Sequence, residues 1–173
     1  MVLDAGTIRN LELTKNIGDG SSRGTLLAVL DKTSTVMGSR LLKKWLHEPL
    51  LNKGAIEKRL DALEELNTNV IAREEIKAKL REVYDVERLI SRINYGNASP
   101  RDILSLRNSL AQFPQLKQNL TNFTSRLLQE INSLSGMEDL TAELRAAVRE
   151  DAPITVREGR IICSGYNSEL DQL

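Results

Sequence analysis

Apolar residues recur along most of the chain at helical spacing. Ile56, Leu60, Leu63 and Leu66 stand at i, i+4, i+7 and i+10, which puts them on one face of an amphipathic helix. Leu26, Leu27, Val29 and Leu30 start an earlier helical run, which Thr33 to Thr35 interrupt with β-branched and capping residues. A helix follows from Val36 to Glu48, with Leu41, Leu42, Trp45 and Leu46 on one face and Lys43, Lys44, His47 and Glu48 on the other. Pro49 stops it. Ile76, Leu80 and Val83 predict a further helix, and Val86, Leu89, Ile90 and Ile93 another that ends at Gly96. Ser99-Pro100-Arg101-Asp102 reads as a helix start: a capping hydroxyl, a first-turn proline and a carboxylate at the positive helix end. Ile103, Leu106 and Leu110 continue that helix, and Pro114 breaks or kinks it. Leu127, Leu128, Ile131 and Leu134 form the next helix, closed by Ser135-Gly136, and Leu140, Leu144, Ala147 and Val148 form another.

The pattern changes near the end. Ile154, Val156, Ile161 and Cys163 alternate around Arg157-Glu158-Gly159-Arg160, which predicts a small β-hairpin over 154–163. From Asn167 the chain reads as the first turns of a helix that reaches Leu173 with no stop signal, the pattern expected of a piece cut from a longer protein. No internal repeat or low-complexity linker divides it. The expected fold is all-α: one domain, 1–173, a bundle of about seven helices with one small β-hairpin near the C-terminus.

Composition agrees and narrows the function. Hydrophobic residues make up 40% of the chain, enough for a globular core, and aromatics only 3%, which suits a Leu-filled bundle better than a sheet sandwich. Lysine and arginine number 24 and so do aspartate and glutamate, so the chain lacks the basic excess of an autonomous DNA-binding domain. The single cysteine, Cys163, cannot form an internal disulfide, and no signal peptide or membrane-length apolar run is present. The expected location is the cytoplasm.

Little chemistry is legible. Gly18-Asp19-Gly20 lacks the lysine and hydroxyl of a phosphate loop and reads as a surface turn. With His47 as the only histidine, a catalytic triad or a His-rich metal site has no material. Glu64-Glu65, Glu74-Glu75, Glu138-Asp139 and Glu150-Asp151 are adjacent pairs, which point apart on a helix and read as solvated faces. Cys163 reads as a small apolar strand residue, and Trp45 as a core residue. Tyr84, Tyr95 and Tyr166 are too scattered for a base-stacking platform. Arg40, Lys43, Lys44 and His47 share a helix face, as an ordinary exposed stripe or as a docking or phosphate-contacting surface. No catalytic, cofactor-binding or metal-binding residue is assigned. From the residues alone, a helical adaptor that docks through the Arg40 stripe stays open beside a domain of a larger machine, and a small helical enzyme is disfavoured.

Several segments nevertheless share a pattern. Leu3-Asp4-Ala5, Arg9-Asn10-Leu11-Glu12-Leu13 and the run Thr25 to Thr33 resemble the entry and first helix of the core domain of MutS-type DNA mismatch repair proteins. Met37-Gly38-Ser39-Arg40-Leu41-Leu42-Lys43-Lys44-Trp45-Leu46-His47-Glu48-Pro49-Leu50 resembles the strongest signature of that core. Arg59-Leu60-Asp61-Ala62, Asp85-Val86-Glu87-Arg88-Leu89, Pro100-Arg101-Asp102, Arg157-Glu158-Gly159 and Ser164 to Asp171 follow in the family's order. The pattern is closer to the bacterial mismatch-repair branch than to the paralogues that act in recombination. The resemblance implies a non-catalytic core or lever domain, the family's third, with the clamp insertion following Leu173. Its partners would be the connector, clamp and ATPase domains of a homodimeric parent that binds mismatched DNA. ATP and Mg²⁺ would act in that parent, and none of the family's mismatch-reading or nucleotide-binding residues maps onto this chain.

Overall fold

The computed structural model describes residues 2–172. Among them ten α-helices run in order: α1 (Ala5–Asn10), α2 (Leu26–Leu30), α3 (Val36–His47), α4 (Lys53–Thr68), α5 (Val70–Arg81), α6 (Val86–Asn94), α7 (Pro100–Leu110), α8 (Phe113–Leu120), α9 (Arg126–Asn132) and α10 (Glu138–Ala147). The chain is all-α, with more and shorter helices than the apolar spacing alone predicts. The added helices have local causes. Asp4 caps the six-residue α1 by accepting the Thr7 amide. Pro114 does not kink one long helix; it sits in the first turn of a new one, α8, where its missing N–H costs nothing.

Side-chain caps mark most starts. Thr25, Thr35, Asn52 and Asp85 each accept an amide three residues on, at the heads of α2, α3, α4 and α6. At α7 the expected start is a full capping box: the Ser99 hydroxyl accepts the Asp102 amide, and the Asp102 carboxylate accepts the Ser99 amide at 2.7 Å. Between α4 and α5 the break is a single residue, Asn69, whose side-chain amide closes α4 on the Glu65 carbonyl.

The helices pack as a staggered bundle. α4 lies against α5 and α9, α5 against α8, α8 against α9, α6 against α7, and α7 against α10. Its interior divides into three small apolar clusters. One gathers Ala62, Leu120, Phe123 and Leu128; a second Leu89, Leu106 and Leu110; a third Ala147, Val148 and Ala152. All three draw their residues from Ala62 onward, so α1–α3 contribute to none of them. The N-terminal part is held by its own bonds: the amides of Leu26 and Leu27 donate to the carbonyls of Glu12 and Leu13, and the Leu3 amide donates to the His47 carbonyl.

The expected hairpin over 154–163 is not formed. Val156–Glu158 is a turn of 3₁₀-helix with its own capping box between Thr155 and Glu158, and Gly159 and Arg160 both take positive φ. That geometry turns residues 161–163 away from 154–156 and back onto the end of α10. There Val148 and Ile162 form an antiparallel bridge, flanked by Arg149 N–H to the Ile161 carbonyl and Cys163 N–H to the Ala147 carbonyl. The helix start expected at Asn167 is present as a short turn. The Asn167 side chain accepts the Glu169 and Leu170 amides, and Leu170–Gln172 is 3₁₀. Leu173, with the clamp insertion expected after it, lies outside the described residues.

Candidate functional site

The structure divides the basic stripe of α3. Arg40 is exposed like Lys43 and Lys44, but its charge is already engaged by two carboxylates. Its two terminal nitrogens reach both oxygens of Asp85 at 2.7 Å, and one of them also donates to Glu87 at 2.6 Å. This planar, two-pronged match is the geometry guanidinium favours with a carboxylate. Asp85 is held below the usual carboxylate range, first by the hydrogen bond from Arg40, while partial burial pushes the other way. Lys43 and Lys44 remain exposed. His47 is half-buried, with its ring Nε2 shut off from solvent.

Trp45 departs from the expected core placement. It is 38% exposed, and the Arg59 guanidinium of α4 lies 3.6 Å from its ring centroid, a cation–π stack. The apolar stripe of α4 departs as well. Leu60 and Leu63 are 55% and 62% exposed, while Ala62, outside the stripe, is the buried residue of that helix. Periodicity identified the helix and its apolar face, but not what covers that face.

Two carboxylates read as solvated have partners distant in sequence, although Glu150 itself stays exposed. Glu65 accepts the Thr124 amide and hydroxyl with one oxygen and the Ser125 amide with the other, all within 2.8 Å. It thus closes the turn ahead of α9 from another helix. Glu150 pairs with Arg107 of α7 at 2.5 Å. Arg107 is only 4% exposed, and Glu150 supplies the counter-charge that a buried guanidinium requires. Nothing local to either sequence announces these partners. Glu74 bonds Lys77 three residues on, as an exposed helix face does.

The remaining candidates stay apart. Gly18 to Ser21 form a turn in which Asn16 accepts the Gly18 amide and Asp19 the Ser21 amide, so the turn uses its own polar groups. Cys163 is a free, half-buried thiol in the bridge segment. Among the described residues, no group of three or more His, Cys, Asp or Glu is placed to hold a metal ion. A cavity of about 200 Å³ lies between α8 and α9, walled by Phe113, Leu116, Leu120, Ile131 and Leu134. The Lys117 ammonium at its edge is engaged by the Leu134 carbonyl. The cavity offers apolar contact and no reacting group.

The geometry is therefore one of helices tied by charges across long stretches of sequence. Comparison with known proteins supplies its family. The family model described as MutS domain III matches residues 6–171. A protein of Alkaliphilus oremlandii named DNA mismatch repair protein MutS is 43% identical over the whole chain, which covers 20% of that protein. Proteins of the same name from Pelotomaculum thermopropionicum and Caldanaerobacter subterraneus subsp. tengcongensis are 45% and 47% identical, each likewise covered over 20% of its length. The chain spans about a fifth of the length of the curated relatives it matches, and over that span it belongs to the MutS domain III family.

Proposed function

We propose that this chain is the non-catalytic core of a DNA mismatch repair protein and relays changes of shape between the parts that hold DNA and an ATP-hydrolysing part. The observation that carries the reading is the match of the entire chain, at 43–47% identity, to about a fifth of the length of proteins named for mismatch repair. The parent would bind DNA, use ATP with Mg²⁺, act as a homodimer and work in the cytoplasm. Its connector, clamp and ATPase domains would be the neighbours of this one. The packing suits such a role. Short helices in contact at several small clusters move between discrete arrangements rather than deforming smoothly. A relay works only where both ends bias the same moving element.

The test is made in the full-length parent. Leu106→Ala loosens the second cluster without touching any nucleotide- or mismatch-reading group. Mismatch affinity and ATP turnover without DNA are expected to persist. The effect of mismatched DNA on nucleotide turnover is expected to weaken by roughly 2- to 30-fold, the range of coupling changes produced by residues between two sites. Unchanged coupling, together with faster amide exchange in α6 and α7, would remove the relay reading.

A further inference from the structure

We propose that Arg40, Asp85 and Glu87 form an ionic latch that holds α1–α3 in one orientation on the α4–α10 bundle. Four observations converge on it. The three apolar clusters contain no residue of α1–α3, so the N-terminal part is not locked in by a shared core. Side-chain ties do cross between the two parts: Arg40 to Asp85 and Glu87, and Arg59 stacked on Trp45. The receiving end is tied into the bundle by hydrogen bonds. Asp85 caps α6 through the Arg88 amide, and the preceding Tyr84 amide donates to the fully buried Ser109 hydroxyl of α7 at 3.0 Å. Ser109 in turn donates to the Ser105 carbonyl, so the corner at 84–85 is pinned to α7. The latch itself is partly exposed to solvent on the Arg40 and Glu87 side chains, which leaves it open to screening and competition as a buried pair would not be.

The consequence is a joint with two states. Closed, α3 is held at the corner between α5 and α6, and any displacement of α3 pulls on the head of α6 and, through Ser109, on α7. Open, Arg40 returns to the face of Lys43 and Lys44 and the N-terminal part pivots. This concerns how the chain's own two parts are joined, and it stands whether or not the domain acts as a relay.

The experiment measures distance on the 173-residue chain without DNA or nucleotide. Spin labels are placed at the exposed sites Lys43→Cys on α3 and Ala78→Cys on α5, with Cys163→Ser. Electron–electron double resonance then gives their separation. One narrow peak is expected for the otherwise unaltered chain, and its loss to a broad, shifted distribution in Arg40→Gln and in Asp85→Asn. Asparagine still caps α6, so Asp85→Asn removes the charge and keeps the helix start. Raising salt from about 0.01 M to about 1 M should broaden the unaltered peak in the same direction, because the screening length falls tenfold. Hydrogen exchange across α7–α9 should stay as it was. A narrow peak that persists in both variants overturns the latch. Should both variants also lose α7–α9 protection, Glu87→Gln decides: it alters an exposed side chain with no capping role, and broadening there supports the latch while an unmoved peak overturns it.

Discussion

Glu65 on α4 reaches across 59 and 60 residues of sequence to grip Thr124 and Ser125. Its carboxyl is held down to about 2 from the usual 4.5, first by the Thr124 hydroxyl and then by the Ser125 amide. A carboxylate with a depressed native pKa lends stability that is whole above its unfolded value and disappears as pH falls through the native one. The contribution of Glu65 should therefore be complete above pH 4.5 and vanish on descending towards 2. Urea titrations at steps across that window should show the midpoint falling for the unaltered chain. Glu65→Gln should lower the midpoint near neutrality and flatten the acid limb. Adjacent carboxylates at Glu64-Glu65 told only that the two do not converge; a partner in a distant turn leaves no mark on its neighbours in sequence. The same holds for Glu150, which reads as part of a solvated pair with Asp151 until the fold brings it to Arg107, 43 residues away.

At the scale of the element, legibility follows locality. The start of α7 was readable because every group of its capping box lies within four residues, Ser99 to Asp102. Ser99→Ala should remove the hydroxyl that accepts the Asp102 amide and destabilise the chain by about 1 kcal/mol, measured by chemical denaturation. Ser99→Thr, which keeps a hydroxyl able both to accept the Asp102 amide and to donate to the Asp102 carboxylate, should recover much of the loss. The expected hairpin failed because alternation says which residues face one way but not which segment they pair with. Thr155 and Glu158 close a local turn, and 161–163 find α10 instead. The α4 stripe failed in a related way: the helix exists as its spacing predicts, but Leu60 and Leu63 point outward.

At the scale of the whole molecule, charge and packing were legible in kind but not in arrangement. Equal numbers of acidic and basic residues leave little counterion release on binding a phosphate backbone, and Arg40 is already engaged by two carboxylates. The chain on its own should bind duplex DNA weakly, lose that binding as salt rises, and treat matched and mismatched duplexes alike. Fluorescence anisotropy at two salt concentrations checks this, and tight, mismatch-selective binding at physiological salt would contradict it. Leucine-rich helices announced a bundle, but a single core was the natural expectation, and the helices instead build three.

Those three clusters also set an order of events for a chain being synthesised. The buried members of the first reach only to Leu128, those of the second need Leu110 and the partly buried Leu144 packed on them, and the third needs Ile161 laid against Ala147 and Val148. As the polypeptide leaves the ribosome from its N-terminus, the clusters become complete in the order in which their last residues emerge. Each finds the preceding one available as a platform, since α8 carries Leu120 of the first and Phe113 beside the second, and α7 spans the second and third. The first cluster can begin closing before the residues that complete the third have emerged, which shortens the time its leucines spend exposed to other nascent chains.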